Sequence, residues 1–182
     1  MKIAVFASGT GTTLQTLIDN QAQYNYCVAL VVANRECPAL ERAANHKITS
    51  LQTKDWETID KFLISNKIQM IVLAGFLAII PAWICKKWDK RIINIHPSLL
   101  PKFGGKGMYG IHVQEAVIAA GETETGCTVH YVCAEVDGGS IIAQTTLNIA
   151  PQDTAETLSL RVQQAEKVLL PKVLGELVKA NL

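Results

Sequence analysis

The sequence predicts an α/β fold: a single-domain, doubly wound mixed sheet, mostly parallel, with a C-terminal antiparallel hairpin and a terminal helix. Three observations predict it. Over the first half of the chain, short β-branched runs alternate with longer amphipathic segments, the pattern of parallel strands joined by crossover helices. Later, two strand-like runs flank the glycine-bearing "AEVDGG", a connection that favours antiparallel pairing. The 182 residues are 49% hydrophobic and 18% charged, enough for one full core, so residues 1–182 are expected to form one domain.

Taken in order, the strands are expected at 2–7 (KIAVFA), 27–33 (CVALVVA), 48–52 (ITSLQ), 70–75 (MIVLAG) and 91–96 (RIINIH). Helices are expected between them near 12–20, 38–46, 55–66 and 81–87, with Pro38 and Pro81 in first turns, where the missing N–H costs nothing. A helix near 110–120 then precedes the runs "TGCTVHYVC" and "SIIAQTTLNI". The last segment, from Asp153 to about Ala180, reads as a helix with Asp153 and Glu156 at capping-box spacing and Leu158, Val162, Ala165 and Leu169 on one face. Pro171 is expected to end or kink it.

Composition excludes several classes. A net charge of +1 gives no basic surplus for nucleic acid. The opening apolar run is too short for a signal segment or a membrane span, so the chain is expected to be cytoplasmic, with no membrane partner. Five cysteines, an odd number, suit reduced thiols. In "CTVHYVC" a strand would turn His130 away from Cys127 and Cys133, so no metal is expected there.

Three places carry candidate chemistry. "SGTGTTL" at 8–14 follows the first strand and opens a helix, whose unpaired N–H groups and dipole favour an anion such as phosphate. It lacks a Walker lysine, and Leu14 interrupts G-x-G-x-x-G; a βα turn whose glycines only permit the backbone angles fits equally well. Asn94 and His96 alternate with Ile93 and Ile95, so they share one face of a strand that Pro97 ends, at the carboxyl edge where open α/β sheets bind ligands. An amide and an imidazole can donate to a developing oxyanion; polar capping of a strand end is the plainer reading. Asp137, in "VDGG", is either turn chemistry or a carboxylate that reaches His96, favours the protonated ring and raises its pKa.

The segments "FASGTGTTLQTLID", "VLAGF", "NIHPSLLPKF", "TGCTVHYVCAEVDGG" and "RVQQAE", in this order, resemble the phosphoribosylglycinamide formyltransferases of the folate-dependent formyltransferase superfamily. The resemblance spans nearly the whole chain. It implies formyl transfer from 10-formyltetrahydrofolate, a co-substrate, to the amine of glycinamide ribonucleotide, with Asn94, His96 and Asp137 catalytic and no metal. It also implies phosphate on Gly11, Thr12 and Thr13, with Gln163 holding the phosphate and Glu166 the amine. The folate is implied to lie against Leu77, Ala78, Ile79, Ile80, Cys85, Asn94, Cys133, Ala134, Glu135, Val136 and Asp137. Relatives often have asparagine at the place of Thr13, arginine at that of Ala78, and a shorter loop than "GGKGMYGIH"; Lys106 in that loop is a candidate to replace the lost charge. The resemblance leaves the oligomeric state open.

Methionyl-tRNA formyltransferase and formyltetrahydrofolate hydrolase share the trio but carry an additional domain, for which the chain is expected to leave no room. A sugar-nucleotide formyltransferase gives no special reason for Gln163 and Glu166. A nucleotide-binding module using Arg35 of "ANRE" leaves Asn94 and His96 unexplained, and tight NADPH binding would favour it.

Overall fold

The computed structural model describes residues 1–180. One sheet of seven strands organises them, with β1 (Lys2–Ala7), β2 (Cys27–Ala33), β3 (Thr49–Gln52), β4 (Met70–Leu73), β5 (Ile92–His96), β6 (Glu124–Tyr131) and β7 (Ile141–Asn148) in the order β3-β2-β1-β4-β5-β6-β7. The first five strands pair in parallel, and β6 and β7 add antiparallel. The expected doubly wound sheet with its antiparallel end is therefore the fold. From β1 the chain builds outward to β3, then returns to place β4 on the other side. That reversal leaves a crevice beyond the carboxyl ends of β1 and β4.

Two apolar layers hold the sheet. On one face Leu14, Leu17 and Ile18 of α1 (Thr12–Tyr24), Ala39 and Ala43 of α2 (Pro38–Asn45) and Val162, Leu170 and Leu174 of α6 (Ala155–Ala180) pack on Ile3, Val5, Val72 and Ile93. On the other, Ile59 and Leu63 of α3 (Trp56–Ser65) and Ile84 of α4 (Ala82–Lys87) pack on Ala4, Phe6, Ile71 and Ile92. The remaining helix, α5 (Ile111–Ala119), packs against α6.

Several boundaries differ from the sequence expectation, each for a local reason. α1 runs on to Tyr24 and stops where Asn25 turns left-handed, at φ 57°. β4 ends at Leu73 because Gly75, at φ 71°, turns the chain into the cleft wall. Pro81 precedes α4 instead of lying in its first turn. The β6–β7 connection spans residues 132–140, longer than a two-residue Asp-Gly turn; Asp137 is left-handed at φ 55° within it, and Gly138 N donates to Glu135 O at 3.2 Å.

At the start of α6 the reciprocal cap is made by Thr154 and Thr157. Thr157 N donates to Thr154 Oγ1 at 3.3 Å, and Thr154 N donates to Thr157 Oγ1 at 2.9 Å. The expected Asp153 is otherwise engaged, accepting from Ala150 N at 2.8 Å and pairing with Arg161. Pro171 does not end α6, which continues to Ala180; Leu169 and Leu170 before it and Val173 and Leu174 after it are buried, and that packing outweighs the lost backbone hydrogen bond.

Candidate active site

A cleft of about 730 Å³ opens at the carboxyl edge of the sheet. Gly9–Thr13 line it from the β1–α1 turn, Leu77–Ile80 from the segment after β4, Asn94 and His96 from β5, Cys133–Asp137 from the long connection, and Gln163 and Glu166 from α6. The structure thus gathers every candidate residue from the sequence except Cys85. That thiol is buried in the core beside Ile80 and Trp88, its Sγ 3.8 Å from Ile80 O, because α4 turns it inward. Lys106 lines the cleft as well.

The anion-favouring end is built from what α1 lacks. Gly11 is its N-cap, with no side chain to satisfy the first N–H groups and no acidic residue in the first turn. In α3, by contrast, the carboxylate of Asp55 accepts from Glu57 N and Thr58 N. An uncapped first turn facing a cleft leaves its donors and dipole for a ligand. Arginines brace the turn from outside: Arg35 Nε donates to Ser8 O at 2.7 Å and Arg42 Nε to Thr10 O at 2.8 Å. The buried Ser8 also ties this turn to the apolar wall, since Leu77 N donates to its Oγ at 3.0 Å and Ser8 N donates to Gly75 O at 3.1 Å.

The polar cluster sits where β5 meets β6. Antiparallel register sets Asn94 opposite His130, and Asn94 Nδ2 lies 3.1 Å from His130 Nε2. His130 Nδ1 is 2.9 Å from Tyr131 O, which can only accept, so the ring carries its proton on Nδ1 and accepts from Asn94 at Nε2. This fixes which way the Asn94 amide points and leaves its second N–H for the cleft. His130 was missed in the sequence, where it was weighed only as a metal ligand. The signal was parity across a strand pair whose register the sequence does not state.

His96 is almost fully buried. Its Nε2 donates to Phe103 O at 2.8 Å, and its Nδ1 lies 3.5 Å from Asp137 Oδ2. Asp137 Oδ1 lies 3.6 Å from His130 Nε2, and Asp137 Oδ2 accepts from Gly105 N at 2.9 Å. Asp137 therefore reaches the imidazole, but the effect on the ring differs from expectation. Burial lowers the His96 pKa, and although Asp137 and the Phe103 carbonyl push it up, the net direction is down. The free protein holds this ring neutral at pH 7, with its proton on Nε2. For Asp137, burial acts upward, but the contacts from His130, Gly105 and His96 outweigh it, and its carboxyl stays below the usual range.

Glu166 is the opposite case. Burial pushes its carboxyl up from 4.5 to about 7, with Lys167 pulling weakly the other way. A carboxyl whose folded pKa exceeds its unfolded value contributes its full stabilisation below about pH 4.5 and loses it as pH rises through about 7. Ionisation then costs about 3 kcal/mol, at roughly 1.4 kcal/mol per unit. We expect Glu166→Gln to be more stable than the parent at pH 9 and nearly equal to it at pH 4, as read by urea unfolding.

Comparison with known proteins matches residues 1–174 to the formyl transferase family model. The chain is 41% identical to the trifunctional purine biosynthetic protein adenosine-3 of Drosophila pseudoobscura pseudoobscura, covering 100% of this chain but only 14% of that protein. It is 35% identical to the chloroplastic phosphoribosylglycinamide formyltransferase of Arabidopsis thaliana, spanning 66% of that protein's length and 100% of its own. The crystal structure of phosphoribosylglycinamide formyltransferase from Anaplasma phagocytophilum superposes with a TM-score of 0.91 at 34% identity, over 99% of this chain and 88% of that one.

Proposed function

The chain belongs to the formyl transferase family, and on that premise we infer that it moves the formyl group of 10-formyltetrahydrofolate to the amine of glycinamide ribonucleotide, in de novo purine biosynthesis. One observation carries this reading. A single cleft brings the Asn94, His96 and Asp137 cluster together with an uncapped helix N-terminus for a phosphate and an apolar wall for a pterin.

In this reading the phosphate accepts from the first-turn N–H groups at Gly11, Thr12 and Thr13, with Gln163 beside it. Glu166 faces the amine, and the folate lies along Leu77–Ile80 and Cys133–Asp137. The amine attacks the formyl carbon and leaves negative charge on oxygen. Asn94 offers its free amide N–H to that oxygen. His96 keeps Nε2–H on Phe103, so it donates from Nδ1 only as an imidazolium. Its 3.5 Å gap to Asp137 leaves that proton available for sharing with the oxyanion. Two negative neighbours, Asp137 and the oxyanion, then offset the burial that keeps the free ring neutral.

The folate is a co-substrate, and no metal, nucleic acid or membrane is assigned a role. The chain is read as one formyltransferase domain acting in the cytoplasm, in keeping with its five free cysteines. Mixing the protein with 10-formyltetrahydrofolate, with and without glycinamide ribonucleotide, tests the reading by release of tetrahydrofolate. Release that requires the nucleotide is expected. Nucleotide-independent release would mean hydrolysis, and no release with tight NADPH binding would favour a dinucleotide module.

A further inference from the structure

Nine polar or charged side chains are buried among the described residues, and eight of them have hydrogen-bond partners within the protein. Asp60, the other buried carboxylate, is engaged by Lys87 at 2.5 Å and by Trp88 Nε1 at 3.1 Å. Glu166 is the exception: it is only 9% exposed, and no hydrogen bond or ion pair reaches it from the described residues. Among the described residues no buried side-chain oxygen is fully enclosed without a partner, so the Glu166 carboxylate keeps its opening, and that opening is the cleft it lines. Burial without a donor penalises the anion, and a protein resolves such a site with a proton or an arriving cation.

We propose that Glu166 is the proton acceptor of the reaction, taking a proton from the substrate ammonium before the nitrogen attacks. The proposal rests on the formyl-transfer reading above and extends it, because binding an ammonium does not by itself require that the proton move. Amines attack carbonyl carbon only as the free base. Asp137 is poorly placed to generate that base, since Gly105 N already donates to its Oδ2 and its carboxyl stays below the usual range, which makes it the weaker proton acceptor. Glu135 is exposed.

The step balances. R–NH3⁺ and the Glu166 carboxylate become R–NH2 and the Glu166 carboxylic acid. The nitrogen lone pair forms the new C–N bond, and collapse of the tetrahedral intermediate breaks the bond from formyl carbon to folate nitrogen. The proton lost by the attacking nitrogen ends on the departing folate nitrogen. Glu166 returns its proton to water once the products leave, so one proton is released per turnover. The charge acting on Glu166 is that of Lys167 on its own helix; the Cys127 thiol on β6, which burial and Glu166 push up to about 12, is neutral, and His96 and Asp137 are the titratable groups of β5 and the long connection lining the same cleft.

Steady-state kinetics of Glu166→Gln between pH 6.5 and 9 test this against a role in binding alone. We expect kcat to fall by about 100-fold or more near pH 7, the usual scale for a lost general base. The remaining activity should climb about tenfold between pH 7 and 9, as an amine of pKa about 8 supplies more of its own free base, and the gap to the parent should narrow accordingly. Glu166→Asp should recover part of the loss. Calorimetry of ribonucleotide binding in buffers of different ionisation enthalpy should show proton exchange in the parent and less in the glutamine variant. An equal fractional loss at every pH, or a rise in KM with kcat unchanged, would overturn the proposal. A parent enzyme that releases no tetrahydrofolate with the ribonucleotide would instead sink the formyl-transfer reading beneath it.

Discussion

His96→Ala lowers kcat by about 1,000-fold and leaves ribonucleotide affinity within about twofold. The size follows from what is removed: one charged donor to an oxyanion, in a site screened from water, is worth about 100- to 1,000-fold, and loss of its proton-transfer capacity adds to that. Selectivity for kcat follows from position, because the ring's protein contacts are Phe103 O and Asp137, away from the Gly11–Thr13 turn. Asp137→Asn should cost less, about 100-fold, since the ring remains but loses the anion that offsets its burial. Stopped-flow single turnovers, with binding measured separately, check both values. A matching loss of ribonucleotide affinity in both variants would contradict the assignment.

Gly11→Ala produces the largest expected change in substrate affinity, raising KM for the ribonucleotide by about 30-fold or more. Gly11 sits at φ 71°, a conformation that L side chains rarely adopt. A Cβ there would come within 2.9 Å of the Ala39 Cα and Cβ, and 3.1 Å from Arg42 Cδ. Ala39 is backbone of α2 and cannot yield, so the turn must lift away from α2. Its N–H groups then lose their aim. Arg42, whose Nε holds Thr10 O, would be displaced in the same movement. The check is comparison with a phosphate-free acceptor: the penalty should be large for the ribonucleotide and small for its dephosphorylated analogue, with folate KM nearly constant.

Much of this was legible in the sequence, and the gaps have physical causes. Strand alternation put Asn94 and His96 on one face, and proline at 97 put them at the sheet's edge; both are local facts. The turn before α1 was legible as a glycine-bearing loop leading from a strand into a helix, but that Gly11 leaves the helix uncapped is a fact of the fold. Asp137 was identified, but its contact with His96 depends on how a connection of residues 132–140 folds back, which no local rule gives. His130 was invisible for a similar reason, because only the β5–β6 register sets it against Asn94. Cys85 was misplaced since a periodic pattern does not say which turn of α4 faces the core. The direction of the His96 shift was misjudged because a neighbouring carboxylate can be guessed from sequence, whereas the depth of burial cannot. At Pro171 the rule lost to packing, since α6 is buried on both sides of it.

In the formyl-transfer reading the cleft is built for an oxyanion, and His96 becomes charged only when that oxyanion is present. Nitrogen-15 NMR of His96, in the free protein and with a tetrahedral-adduct analogue bound in the cleft, tests it directly. A neutral ring protonated at Nε2 is expected in the free protein at pH 7, and an imidazolium protonated at both nitrogens in the complex. A ring that stays neutral with the analogue bound, or is already charged without it, would rule out this role for His96.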